Sequence, residues 1–363
     1  MSDLATVERG RPWKPSRGTG DSKQRKTAPT TAARRRRTAL LGVLCTAALA
    51  ILTTIALTSG EMAMPVATAL RAAVGFGDAG DIFVVREFRM PRLAAGVLAG
   101  AALAVSGAVL QRLLRNPLAS PDLIGVTGGS SVGAVAILAL GAGQTLIPLG
   151  AFGGGLLAAA LLGGLGRAGL PLTRLIVVGL AVQTGLQAAV NLFVVRFPAE
   201  LASSAKQWTT GSLYGRTWTE VTGAAIACVV VIALLFLQYR TLAALDLGDE
   251  SAGVLGISAP KARLRLLVTA VVLASLAAAL TGPIAFVALA VPQLVRMLVG
   301  PPTAATMVVT GLAGATLLVG CDQLAQHVLP GGVPVGVVTA TVGAPWLLYL
   351  MLRESGPAHR RTS

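Results

Sequence analysis

Eight stretches of 19 or more residues in this chain contain no Asp, Glu, Lys, Arg or His: 39–59, 93–111, 123–166, 175–195, 221–239, 266–295, 297–321 and 333–352. A helix that spans the hydrocarbon core of a bilayer needs about 20 mostly apolar residues. The pattern therefore specifies an all-α, polytopic membrane protein. Composition agrees: 54% of the 363 residues are hydrophobic and 12% charged, where an ordinary soluble domain has roughly a quarter charged. The surplus of 30 Lys/Arg over 15 Asp/Glu is segregated from the apolar runs. A nucleic-acid enzyme is not expected despite the high isoelectric point.

Two windows are too long for one span. Residues 123–166 are divided by Gly141, Gly143 and Pro148, and 266–295 by Gly282–Pro283. The second division also follows from charge, because with two spans there Lys261, Arg263, Arg265 and Arg296 all fall on the cytoplasmic side, as the positive-inside rule asks. Ten spans result, with both termini cytoplasmic, 23 basic residues inside and seven outside. The outer set is Arg71, Arg86, Arg89, Arg92, Arg196, Lys206 and Arg216.

Residues 1–38 carry eleven Lys/Arg, three acids and one aromatic, Trp13. Such a segment buries too little apolar surface to offset its ordering entropy, so it reads as a disordered, topology-setting cytoplasmic tail. Residues 354–363 form a second, short cytoplasmic tail after the 39–353 membrane domain. Cys45, Cys228 and Cys321 lack CxxC spacing and read as small buried hydrophobes, so neither a metal site nor a cofactor is expected.

The spans contain none of the Asp, Glu or His on which proton-driven carriers rely, although sodium coupling through carbonyls and hydroxyls stays open. Gly128 and Gly133 have the spacing of two P-loop glycines, but Ala134 stands in place of the phosphate-binding lysine. Energy must then come from another chain, unless the protein is a self-sufficient secondary transporter. The glycines of 96–100 and 125–133 read as close helix-packing positions.

Three segments carry recognition features. REFRMPR at 86–92 is a basic knot on the outer side, suited to carboxylates of a soluble partner. Ser120, Pro121 and Asp122 read as start signals for the third spanning helix. The polar loop 240–263 contains LDLGDESAGVLGI at 245–257. There Asp246 is expected to cap a short helix with Asp249 and Glu250 in its first turn, and Leu247, Ala252, Leu255 and Ile257 to form an apolar face for a cytosolic subunit.

Four of its motifs make the chain similar to the FecCD-type permeases of ABC importers for iron-siderophore, haem and vitamin B12 uptake. They are FRMPRLAAGVLAGAALAVSGAVLQRLLRNPLASPDLIGVTGG (88–129), LGDESAGVLGI (247–257), GPIAFVALAVPQLVR (282–296) and LPGGVPVGVVTATVGAPWLLYLMLR (329–353). The resemblance covers about residues 39–353. It implies a type II ABC importer permease-like fold of ten helices, a pore formed with a second permease subunit in a homo- or heterodimer, and two cytosolic ATPase subunits that hydrolyse ATP for it. It also implies a periplasmic or lipid-anchored substrate-binding protein. By the same resemblance Arg89 and Arg92 receive glutamates of the binding protein. Asp246, Leu247, Gly248, Asp249, Glu250, Ala252, Leu255 and Gly256 make the ATPase coupling loop, and Leu172 and Thr173 the inner gate. Two positions depart from the family pattern. Gln326, followed by His327, stands where vitamin B12 permeases have a further docking arginine. Val291-Pro292-Gln293 replaces the common Val/Ile-Pro-His, which tilts the substrate toward a ferric chelate.

Overall fold

The computed structural model describes residues 31–60, 62–167, 172–329 and 332–354. In chain order its helices are α1 (Thr31–Thr58), α2 (Val66–Ala73), α3 (Ala79–Phe83), α4 (Met90–Leu113), α5 (Val126–Ala139), α6 (Ile147–Arg167), α7 (Leu172–Arg196) and α8 (Ala199–Thr210). They continue with α9 (Trp218–Leu237), α10 (Tyr239–Asp246), α11 (Asp249–Val254), α12 (Ala259–Thr281), α13 (Val287–Val299), α14 (Ala304–His327) and α15 (Val335–Glu354). Among the described residues, seven helical segments are long and apolar enough to cross a membrane, and α5, α13 and α15 supply three shorter apolar helices. The two long windows divide as the sequence indicates: a turn and a 3-10 segment (Gln144–Leu146) separate α5 from α6, and Gly282–Phe286 separates α12 from α13.

In lipid there is little hydrophobic drive between helices, so association depends on close backbone approach. The glycines supply it. A Cβ on Gly100 of α4 would lie 2.4 Å from the Gly314 carbonyl oxygen of α14, and one on Gly107 would lie 1.8 Å from that of Ala288 in α13. Gly129 and Gly133 of α5 face Gly154 and Gly150 of α6 in the same way. Around these seams α4 and α12 form the centre, with α13, α14 and α9 against them and Leu110, Leu266, Leu273 and Leu318 fully buried. Helices α5, α6 and α7 build a second group joined to α12, while α1 lies along α14.

Irregular backbone at membrane depth must be satisfied by protein. Between α12 and α13 the Ser212 amide donates to the Thr281 carbonyl at 2.7 Å, and the Gly336 amide to that of Gly211 at 3.1 Å. Phe286 has φ +68° at the start of α13, and its ring lies where a Cβ on Gly343 of α15 would be.

Three expectations are corrected. Helix α1 begins at Thr31 and includes Arg34–Arg37, so the basic end of the tail is helical; Ala and Arg are good helix formers and continue the apolar run backward. Residues 1–30 and 355–363 lie outside the described residues. Ser120, Pro121 and Asp122 open a 3-10 turn (Pro121–Ile124), and α5 starts after Gly125 at φ +73°. The spans do contain an acid: Asp322, one residue past an uncharged window, lies within α14 and is 4% exposed.

The glycine seams predict a sharp positional contrast. Gly100→Val should lower stability by about 1–3 kcal/mol through overpacking, whereas Gly153→Ala, at a position with nothing within 4 Å, should be neutral or slightly stabilising. Thermal unfolding of the two purified variants in detergent measures the difference.

Candidate functional site

At one end of the bundle the REFRMPR motif falls on a π-helical segment, Val84–Arg89, that runs without a break from α3 into α4. Pro91 is in the first turn of α4; it has no amide hydrogen, and a wide turn accommodates its ring without ending the helix. Arg89 points to the end of α1, donating to the carbonyls of Leu57 and Met62, where a cation complements the helix dipole. Arg92 holds Asp322 bidentately, Nε to Oδ2 at 2.9 Å and Nη2 to Oδ1 at 2.8 Å. Gln326 Nε2 donates to Asp322 Oδ2 at 2.7 Å.

Arg89, Arg92 and Gln326 therefore meet in one pocket of about 310 Å³, together with Asp322, Gln323 and Arg216. The last three went unrecognised in the sequence. Asp322 could have been found from its spacing of four to Gln326, which puts both on one helical face. Arg216, in the loop before α9, stacks 5.3 Å from the Trp208 ring centroid, and burial lowers its pKa while Glu220 opposes the shift. In the pocket Arg89 and Arg92 are already engaged by internal acceptors, whereas Arg216 Nε and Nη1 have no hydrogen-bond partner among the described residues, and Arg86 is exposed.

At the other end, α10 and α11 form the segment expected from the 240–263 loop. Leu242, Leu245 and Ala252 are buried in the core. The outward side is apolar, with Leu247, Val254 and Leu255 exposed at 70, 88 and 62%. The expected single apolar face is thus split: Ala252 anchors the segment and Leu247 and Leu255 point away. Nor does Asp246 cap α11. It is the last residue of α10 and pairs with Arg112 of α4 at 2.6 Å, while Gly248 at φ +108° supplies the turn. A guanidinium on α4 outcompetes the local cap because it offers a charge-assisted bond. Asp249 pairs with Arg263 at 2.7 Å, and Glu250 is exposed. Gly256, at φ +74°, turns the chain toward α12. Leu172 and Thr173 open α7, but their side chains lie outside the described residues. Of the three cysteines, all free, Cys228 and Cys321 are buried and Cys45 half-buried.

A bundle of apolar helices with an arginine-lined pocket at one end and an anchored, outward-greasy hairpin at the other has the form of a multi-pass membrane protein. Comparison with known proteins gives the particular family. Residues 48–353 match the FecCD transport family, and the chain belongs to it. It is 36% identical over 302 residues to the ferric enterobactin transport system permease protein FepG of Escherichia coli, covering 82% of this chain and 91% of that one. It is 38% identical over 274 residues to the Fe(3+) dicitrate transport system permease protein FecD of the same organism, covering 75% and 86%. It is 37% identical over 274 residues to the cobalamin import system permease protein BtuC of Halobacterium salinarum, covering 74% and 73%. A solved metal-chelate type ABC transporter in an inward-facing conformation superposes with a TM-score of 0.77 at 27% identity, covering 87% of this chain and 99% of that one. The protein is a permease of a metal-chelate type ABC importer, and its relatives are transport permeases, not enzymes.

Two predictions follow from these contacts. Asp322→Asn should cost about 2 kcal/mol, less than the loss of a fully buried pair because Arg92 keeps some solvent. Adding Arg92→Gln should cost much less than the sum, and a double-mutant cycle of unfolding free energies reads the coupling. In the turn between α4 and α5, burial pushes the Asp122 carboxyl up to about 6, against an opposing contribution from Thr127. An acid raised in the fold contributes stability below its ordinary value of 3.8 that is lost as pH rises through about 6. Asp122→Asn should therefore raise the unfolding midpoint near pH 7.5 and not near pH 4; equal shifts at both pH values would contradict the assignment.

Proposed function

We propose that the chain forms the translocation path for a ferric siderophore across the cytoplasmic membrane, together with a second permease subunit. Two cytosolic ATPases and a substrate-binding protein complete the transporter. The observation that carries this reading is the pairing of opposite ends: receptor-like arginines at one and an anchored hairpin with an exposed apolar surface at the other. The relatives named for ferric enterobactin and Fe(3+) dicitrate support an iron chelate; the relative named for cobalamin keeps a corrinoid as the alternative.

In this mechanism both termini face the cytoplasm. Acidic residues of the loaded binding protein engage Arg89 and Arg92, with Gln326 beside them. Because Arg92 already holds Asp322, an arriving carboxylate exchanges with or adds to that internal acceptor, so docking acts directly on the α4–α14 packing. ATP-driven closure of the ATPases moves the segment Asp246–Gly256, whose exposed Leu247 and Leu255 they contact. The gate at Leu172 and Thr173 then changes, giving alternating access.

The test is reconstitution of the chain with its neighbouring ATPase and binding protein in proteoliposomes. Uptake of a ferric siderophore should require ATP and all components; uptake driven by an ion gradient with the chain alone would overturn the reading. Arg89→Gln, combined with Arg92→Gln and Asp322→Asn so that no buried charge is left unpaired, should weaken binding-protein docking while ATPase assembly, which reports on folding, is retained. Asp249→Ala with Glu250→Ala and Leu255→Asp should leave ATP hydrolysis but remove uptake.

A further inference from the structure

On the same end as α10 and α11, a cleft of about 600 Å³ opens between α4, α13 and α14. It is lined by Arg112, Arg115 and Arg296, with Asp246 the one acid among its lining residues. Each arginine is held differently. Arg112 is 9% exposed; its Nε and Nη2 hold Asp246 and its guanidinium carbon lies 5.4 Å from the Tyr239 ring centroid. Its Nη1 is buried without a hydrogen-bond partner among the described residues. Arg115 takes φ +48° at the C-terminal end of α4, a conformation that L residues adopt at a cost. The Asn116 amide closes that end onto the Gln111 carbonyl at 3.1 Å, and Arg115 Nη2 donates to the Leu245 carbonyl at 3.1 Å. Arg296 is exposed, with no side-chain bond or ion pair among the described residues.

A buried guanidinium nitrogen without an acceptor is costly, and Arg112, which carries one, lines a cleft with a surplus of positive charge. The chemistry that satisfies it is a phosphate oxygen, which guanidinium groups bind with charge-assisted hydrogen bonds. The rest of the cleft selects the source. Ala108, Pro292, Val295 and Met307 give it an apolar wall, and Leu294, Met297 and Leu298 on the outer side of α13 are exposed. A free phosphate ion uses none of this surface, whereas a phospholipid uses both parts. We infer that this cleft binds the phosphate headgroup of an anionic phospholipid of the inner leaflet, through Arg112 and Arg296. Because Arg112 also holds Asp246, an occupied cleft shares one guanidinium between the membrane and the ATPase-facing segment. The inference rests on the proposed orientation, which puts this end at the inner leaflet.

Native mass spectrometry of the full chain, released from micelles holding equal phosphatidylglycerol and phosphatidylcholine, tests it without ATPase, binding protein or transport. Failure here is thereby separable from failure of the importer reading, which only the uptake assay reports. Phosphatidylglycerol should be retained about fivefold over phosphatidylcholine, the effect of one basic residue near an anionic surface. Arg112→Gln and Arg296→Gln should each bring that ratio toward one. Arg296 has no internal partner to lose, so its substitution separates lipid binding from folding. Equal retention of the two lipids by the wild-type chain, or an unchanged ratio in both variants, would overturn the inference. So would displacement of phosphatidylglycerol by inorganic phosphate, which would assign the cleft to a free anion.

Discussion

Within a bilayer there is no water to receive an unpaired peptide group and little hydrophobic reward for bringing two apolar helices together. What remains is contact at backbone distance, and the structure depends on it. Gly100 against Gly314, Gly107 against Ala288, and Gly129 and Gly133 against Gly154 and Gly150 set where α4, α5, α6, α13 and α14 cross. Once those seams are closed, the polar groups that cannot be left in lipid find one another. The Arg92–Asp322 pair links α4 to α14 at one end, and the Arg112–Asp246 pair links α4 to α10 at the other.

This explains why charged residues are few and placed at the ends of helices. A buried ion pair seldom adds much stability over an apolar contact of similar size, yet breaking one side of it is expensive. Asp322, Arg92 and Gln326 therefore act mainly by specifying one register between two otherwise smooth helices. The same property makes them responsive: a partner's carboxylate that competes for Arg92 alters a contact on which that register depends.

Much of the fold could be read from charge spacing alone. Gaps between charges located the apolar helices, and Gly141, Gly143, Pro148, Gly282 and Pro283 marked the two divisions that the structure shows. What escaped were features decided by tertiary contact. Asp322 lay just outside a window defined by counting charges, and its burial depends on Arg92, 230 residues away. Asp246 had all the local marks of a cap but was taken by Arg112 from another helix. The short helices α2, α3 and α8 have no long apolar run to announce them. Of the site, Arg89, Arg92 and Gln326 were named through resemblance, and their meeting in one pocket became visible only with the helices in place.

The absence of a break between α3 and α4 has a mechanical meaning. Ala79–Leu113 is one helical rod of 35 residues, about 50 Å long at the usual rise per residue. It carries Arg89 and Arg92 where α3 and the widened turn give way to α4, and Arg112 at the far tip. A push or rotation applied at the outer tip is delivered along the axis as rigid-body movement, with no loop between to absorb it. The widened turn at Val84–Arg89 ends before Arg92, so regular α-helix runs from Arg92 to Arg112. In the proposed mechanism the helix that receives the binding protein is thus a lever whose far end grips the segment offered to the ATPase.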